Sequence, residues 1–236
     1  MPTYRDYLWL QQYFDTSFAF GYCAAVISDC TPAQVLSILG AESSHSEVAG
    51  IAELAQVEIE LVEQSVSGPS AVVAVARLDG KSTLLIQLNG GSFAVSVALM
   101  RPLLPDHEVV SHYLSTNADS QFIWWSNGER VADFELVGIG PVIGDERVVD
   151  LISEVGGIGI DDDAQNQLAK YAVQGAFALA ERITGASVPA ALFEAGRFTV
   201  AAVTRAGAGA GATSVSTPKS FPKETAVPAE QGSATP

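Results

Sequence analysis

Side chains able to act as nucleophiles, bases or soft metal ligands are few in this chain. Cys23 and Cys30 are its only thiols, and His45, His107 and His112 its only imidazoles. Zinc sites draw Cys and His ligands from short, regular spacings such as CxxC, and none is present. The run Asp161-Asp162-Asp163 sets three carboxylates side by side, whereas a calcium loop alternates ligands with spacers, turns at a glycine and closes on a glutamate. Acids just before a helix complement the positive end of its dipole, and that role suffices for them. The glycine-rich stretches Gly138-Ile139-Gly140 and Gly156-Gly157-Ile158-Gly159 fit neither GxGxxG between a strand and a helix nor the GxxxxGK loop, so they read as tight turns. No GxSxG elbow occurs. Cys23, His112 and Asp119 can be drawn as nucleophile, base and orienting acid, but nothing in their spacing brings them together. His112, Asn117 and Asp119 form a looser polar set near predicted strand ends, where an enzyme acting on a small molecule would hold acid–base groups. These patterns lead to no expected metal and no expected cofactor.

The elements that would position such groups are legible in part. Spacing over Thr3 to Phe14 is roughly helical, and the apolar run Phe18 to Ser28 reads as a buried strand. Thr31-Pro32-Ala33-Gln34 has the form of a capping box with proline at the first helical position, and Gly40 suits the helix end. Residues 42–63 hold six acids and no Lys or Arg; their mixed periodicity predicts a helix followed by a strand. Val72 to Leu78 and Ser82 to Leu88 form a predicted hairpin through a type I′ turn at Asp79-Gly80. A short helix is expected within Val95 to Leu104, then strands over Glu108 to Thr116, Gln121 to Ser126 and Arg130 to Val137. Helical spacing returns at Val148 to Val155, at Gln165 to Thr184 with Gly185 as the stop, and near Pro189 to Ala195, before a last strand from Phe198 to Val203.

The fold class is therefore α+β, mainly an antiparallel sheet of hairpins flanked by helices. It is expected as one domain over 1–204, with 1–66 as an alternative N-terminal subdomain. The remaining 205–236, rich in Ala and Gly and then in Ser, Thr, Pro and Lys, cannot bury enough apolar surface to offset its ordering entropy and reads as a disordered tail.

One hairpin carries a candidate binding face. A two-residue turn at Asn127-Gly128 sets Trp125 opposite Arg130, Trp124 opposite Val131, Ile123 opposite Ala132 and Phe122 opposite Asp133. One face then holds Ile123, Ala132, Phe134 and Leu136, and the other holds Phe122 and Trp124 beside Asp133 and Glu135. Aromatics flanked by acids suit a contact patch; the alternative is that a helix covers them.

Charge limits the partners. With 12 Lys and Arg against 27 Asp and Glu, the net charge is −15, a field that repels phosphate backbones and anionic headgroups. No nucleic acid and no membrane is expected as a partner; a basic protein is. The N-terminal residues do not resemble a signal peptide, and the longest apolar run is too short to span a bilayer, so a cytoplasmic location is expected, with both cysteines reduced.

Several stretches resemble an uncharacterised actinobacterial family, a domain of unknown function. They are Thr83 to Gly90, Val109 to Asn117, Gly128 to Phe134 and Leu179-Ala180-Glu181-Arg182-Ile183-Thr184-Gly185, with an opening pattern of Tyr7, Trp9-Leu10, Tyr22-Cys23 and Thr31-Pro32 through Leu39-Gly40. The resemblance covers roughly residues 4 to 200. This chain has Gln87 where the pattern has Glu before the Leu-Asn-Gly turn, and it lacks the pattern's Trp near Lys81-Ser82-Thr83. The family brings no activity with it. The functional expectation is a non-catalytic protein-binding domain of immunity or accessory type, with a small-molecule enzyme as the alternative.

Overall fold

Ten residues from Tyr4 to Tyr13 open the chain as a 3₁₀ helix in the computed structural model, which describes residues 1–64, 70–137, 142–159 and 169–204. The Asp161-Asp162-Asp163 run, the Gly138-Ile139-Gly140 turn and the tail from 205 lie outside the described residues. The chain falls into two units, Met1–Arg205 and Ala206–Pro236. In order, the elements of the first unit are β1 (Tyr22–Ile27), α1 (Pro32–Ile38), β2 (Ala41–Ala49), α2 (Gly50–Gln64), β3 (Ser70–Arg77) and β4 (Thr83–Leu88). There follow α3 (Val97–Met100), β5 (Val109–Leu114), β6 (Ser120–Ser126), β7 (Glu129–Phe134), β8 (Ile143–Gly144) and α4 (Arg147–Val155). The unit closes with α5 (Ala172–Thr184), α6 (Ala190–Ala195) and β9 (Arg197–Thr204).

The strands join one nine-stranded sheet in the order β2-β9-β3-β4-β1-β5-β6-β7-β8. Every described pairing is antiparallel. The α+β class follows directly. Helices cover both faces. Tyr22, Ala24, Val26, Leu84, Ile86, Val110 and Phe122 point into one core with α2, α4, α5 and α6; Cys23, Ala25, Ile27, Leu85 and Val109 point into another beneath α1 and the segment around α3. Because β1 is covered on both sides, all six of its residues are buried, which is why it reads as a continuous apolar run without alternation.

Local chemistry holds where it was self-sufficient. Gln34 N–H donates to Thr31 Oγ1 and Thr31 N–H to Gln34 Oε1, closing the capping box at the start of α1. Gly185 ends α5 at φ 72°. Asn127 and Gly128 take φ 53° and 78°, as a type I′ turn requires.

Other expectations are corrected. Between residues 41 and 64 the order is strand then helix, the reverse of the prediction. The polar stretch Ala41–Ala49 becomes an edge strand that, among the described residues, pairs with β9 alone. Gly50, at φ 76°, then turns the chain into α2, whose Ile51, Leu54 and Glu58 are buried along one face. The strand predicted from Phe18 begins only at Tyr22, after Gly21 at φ 88°. At the β3–β4 hairpin Gly80 has a positive φ but Asp79 does not, and Leu78 N–H bonds Ser82 C=O across a three-residue loop instead of a type I′ turn.

Candidate functional site

The polar set predicted at the strand ends does not converge. His112 is fully buried on β5, opposite Ala24 and Phe122. The Phe177 ring of α5 meets it edge-on at 4.5 Å; His112 Nδ1 shares a 2.9 Å hydrogen bond with the Tyr22 hydroxyl, while Nε2 has no partner among the described residues. Burial pushes its pKa from 6.5 down to about 3, so the imidazole is neutral at ordinary pH. Asn117 and Asp119 instead stand exposed in the β5–β6 turn, where both backbone N–H groups donate to Ser115 Oγ. Cys23 follows Tyr22 on β1, so its side chain enters the opposite core from His112; it pairs across to Tyr113, not His112. Burial raises its thiol to about 12. The nucleophile–base–acid alignment of Cys23, His112 and Asp119 is therefore not formed.

The β6–β7 hairpin departs from its predicted register two pairs beyond the turn. Trp125 pairs with Arg130 as predicted, but a bulge places Trp124 opposite Ala132, Ile123 opposite Asp133 and Phe122 opposite Phe134. One extra residue in β7 exchanges the faces of everything beyond it. Phe122 is consequently fully buried beside Phe134, their ring centroids 4.9 Å apart, and the helical layer covers it. Trp124 is half-buried against that core and donates its indole N–H to Glu108 at 3.0 Å. Asp133 faces the other way, held by Arg130 at 2.7 Å and Gln121 at 2.9 Å, and Glu135 is exposed.

Two clefts gather residues that sequence reading did not single out as a site. The first, of about 460 Å³, lies where the N-terminal 3₁₀ helix meets the end of α5, and its lining includes Asp6, Tyr7, Trp9, Glu181 and Ser187. Tyr7 is buried and donates its hydroxyl to Glu181 Oε2 at 2.7 Å, while Val188 N–H donates to the same hydroxyl at 3.3 Å. Burial, and then the Glu181 hydrogen bond, raise the Tyr7 pKa well above its ordinary range. Trp9 is fixed edge-on against Phe193 at 5.1 Å. The ion pairs formed among the described residues are Arg130–Asp133, Arg147–Asp145 and Arg182–Glu154, which leaves Asp6 and Glu181 without a basic side chain. Asp6 Oδ2 accepts from Thr3 N–H at 2.8 Å and from Thr3 Oγ1 at 3.1 Å, and these bonds, with a smaller contribution from the N-terminal ammonium, lower its pKa.

The second cleft, of about 470 Å³, is lined by Phe20, Glu58, Ile59, Val72, Gln87, Leu88, Asn89 and Gly91. It lies where the β3–β4 ladder opens. Pairing runs from Arg77/Thr83 to Ala74/Ile86 and stops. The bond from Leu78 N–H to Ser82 C=O fixes which pairs are hydrogen-bonded, and by alternation Val72 and Leu88 would be one of them in an unbroken ladder. Side chains take those groups instead. Leu88 N–H donates to Glu58 Oε2 at 2.8 Å, and Gln87 Nε2 donates to Val72 C=O at 3.0 Å. Gly91 has no Cβ to overlap the Gln87 carboxamide, whose oxygen also accepts from Phe93 N–H at 3.1 Å. Glu58 is only 2% exposed and its Oε1 has no hydrogen-bond partner among the described residues. Burial raises its pKa from 4.5 to about 8, opposed by the Leu88 hydrogen bond and the nearby Asn89 side chain. Among the described residues Asn89 Nδ2 nevertheless meets no acceptor in hydrogen-bonding geometry. The signal in the sequence was the position of Glu58 on the same helical stripe as Ile51 and Leu54, an acid where a core residue belongs.

The profile of a family of unknown function, DUF6461, matches residues 1–208. The chain belongs to this family. No curated protein and no solved structure matches it. Both clefts fall inside the stretch that defines DUF6461. Among the described residues no three His, Cys, Asp or Glu side chains are grouped to hold a metal ion, and no helix is long and apolar enough to cross a membrane.

Proposed function

We propose that this DUF6461 domain is a non-catalytic protein-binding module of immunity or accessory type, and that it holds a basic side chain of its partner in the cleft of Asp6, Tyr7, Trp9 and Glu181. The observation that carries the reading is the pair of acids without a basic side chain in an open cleft that the Trp9 indole also lines. Carboxylates beside an aromatic face complement a Lys or Arg head and its alkyl stem. The net charge of −15 adds long-range attraction for a cationic surface, faster association and strong dependence on salt. The patch first expected on the β6–β7 hairpin contributes less to this reading, since Phe122 is buried.

The test is capture of partners from native lysate at low and high salt, with the wild-type chain beside an Asp6→Asn, Glu181→Gln variant. Glutamine at 181 still accepts from Tyr7, and asparagine at 6 still offers an acceptor to Thr3 N–H. The expected result is one or more basic proteins retained at low salt, released at high salt and lost in the variant. Retention that ignores both salt and the variant would refute the reading.

A further inference from the structure

The Glu58 cleft is independent of the protein-binding reading and has a different character. Its upper walls are apolar and open: Phe20 is 61% and Ile59 38% exposed, and Val72 and Leu88 lie beneath them. Its floor holds two buried polar atoms without partners among the described residues, Glu58 Oε1 and Asn89 Nδ2. A buried polar atom left unpaired costs stability, so a sheet that opens its own ladder to seat such an acid is arranged for something other than folding. The other atoms of the floor are committed. Glu58 Oε2 accepts from Leu88 N–H, and both ends of the Gln87 carboxamide are occupied.

The chemistry of the free atoms names the ligand. With Oε2 accepting a hydrogen bond, the proton of a neutral carboxyl sits on Oε1 and makes it a donor. Asn89 Nδ2 is a donor in either state. Glu58 is the only titratable side chain among the lining residues. Tyr22 stands opposite Leu88 on the neighbouring strand, but its hydroxyl is engaged with His112. Both residues line the cleft, so together the two atoms offer donors to a single acceptor oxygen. A net charge of −15 disfavours an anionic ligand. The cleft's volume of about 470 Å³ lies within the range of sites for small organic molecules.

We propose that this cleft binds an uncharged, mostly apolar small molecule through a carbonyl oxygen, gripped jointly by Glu58 Oε1–H and Asn89 Nδ2–H, with Phe20 and Ile59 against its hydrocarbon part. Burial keeps the carboxyl protonated until the pH approaches 8, so binding is strongest in neutral and mildly acidic solution and weakens above that. A cationic amine would show the opposite trend, because it needs the carboxylate.

The experiment titrates the full chain with a panel of aryl-alkyl and alkyl ketones, esters, amides and lactones, each paired with its matched amine and hydrocarbon, and follows backbone amide shifts by NMR. The expected result is saturable binding of one or more carbonyl probes, with the largest shifts at Leu88, Asn89 and Phe20. The matched hydrocarbon should bind about tenfold more weakly, the equivalent of one good hydrogen bond. Asn89→Gly, which suits the backbone at φ 55°, should weaken the carbonyl probe about tenfold as well. Glu58→Gln keeps an acceptor for Leu88 and a donor for the ligand; it should retain binding and abolish the loss above pH 8. Tighter binding of the amines, equal binding of the hydrocarbons, unchanged pH dependence in Glu58→Gln, or no saturable binding of any carbonyl probe would each overturn the proposal.

Discussion

At the scale of single residues, two buried ionisable groups drive stability in opposite directions with pH. Glu58 has a folded pKa of about 8 against an ordinary 4.5, so between those values the folded chain keeps a proton that the unfolded chain has released. Its contribution is complete below 4.5 and is lost as the pH rises to about 8, with a slope of up to about 1.4 kcal/mol per pH unit. His112 is displaced the other way, from 6.5 to about 3, so its share of stability is lost as the pH falls through that window. Glu58→Gln should remove the loss between pH 4.5 and about 8. Urea midpoints measured across pH 4 to 9 should then fall in wild type relative to the variant from about pH 4.5 and keep a constant offset above about 8. A constant offset across the whole range would mean that Glu58 ionises normally in the folded chain. Glu58 could have been suspected from its place among Ile51 and Leu54, but its partner Leu88 N–H could not, because which strand faces α2 is a tertiary matter.

At the scale of elements, short-range chemistry proved reliable at the Thr31 cap and the Asn127-Gly128 turn, less so at Asp79-Gly80, and register did not. The Thr31–Gln34 capping box needs only four consecutive residues, and the structure closes it as read. Thr31→Ala should cost about 1 kcal/mol in denaturant-measured stability while leaving both clefts unchanged. The Asn127-Gly128 turn was equally legible. The bulge between Trp124 and Trp125 was not, and it reversed the assignment of Phe122 from candidate contact residue to core. A bulge is favoured by how both faces of a strand fit the layers above and below, and no local residue signal announced it. The β2–α2 reversal has a similar origin. Val57 and Ile59 alternate as a strand would, but Ile51, Leu54 and Glu58 find a core to bury in only as a helix, and the polar segment before them is stable only because β9 pairs with it.

At the scale of the whole molecule, one ring ties the layers together. Phe177 of α5 lies 5.8 Å from Tyr7, 6.0 Å from Tyr22, 4.5 Å from His112 and 6.2 Å from Phe193, so it joins the N-terminal helix, two central strands and α6. Phe177→Ala should destabilise the chain by about 3–5 kcal/mol, read as a drop in denaturation midpoint. It should also disturb the Tyr7–Glu181 contact and so weaken salt-sensitive partner capture. Phe122 belongs to the same core but does not line that cleft; loss of stability without loss of capture in Phe122→Ala would separate packing from binding.

The sequence by itself determined the acidic charge, the Thr31 and Gly185 caps, the Asn127-Gly128 turn and the antiparallel α+β class, because each depends on composition or on residues within a few positions of one another. Tertiary structure alone decided the register of β6 on β7, the burial of His112 and Phe122, and the meetings of Tyr7 with Glu181 and of Glu58 with the opened β3–β4 ladder. Those pairs stand 174 and 30 residues apart. Contacts across such separations are set by how the helical layer seats on the sheet, a packing free energy shared by many side chains and carried by no single motif.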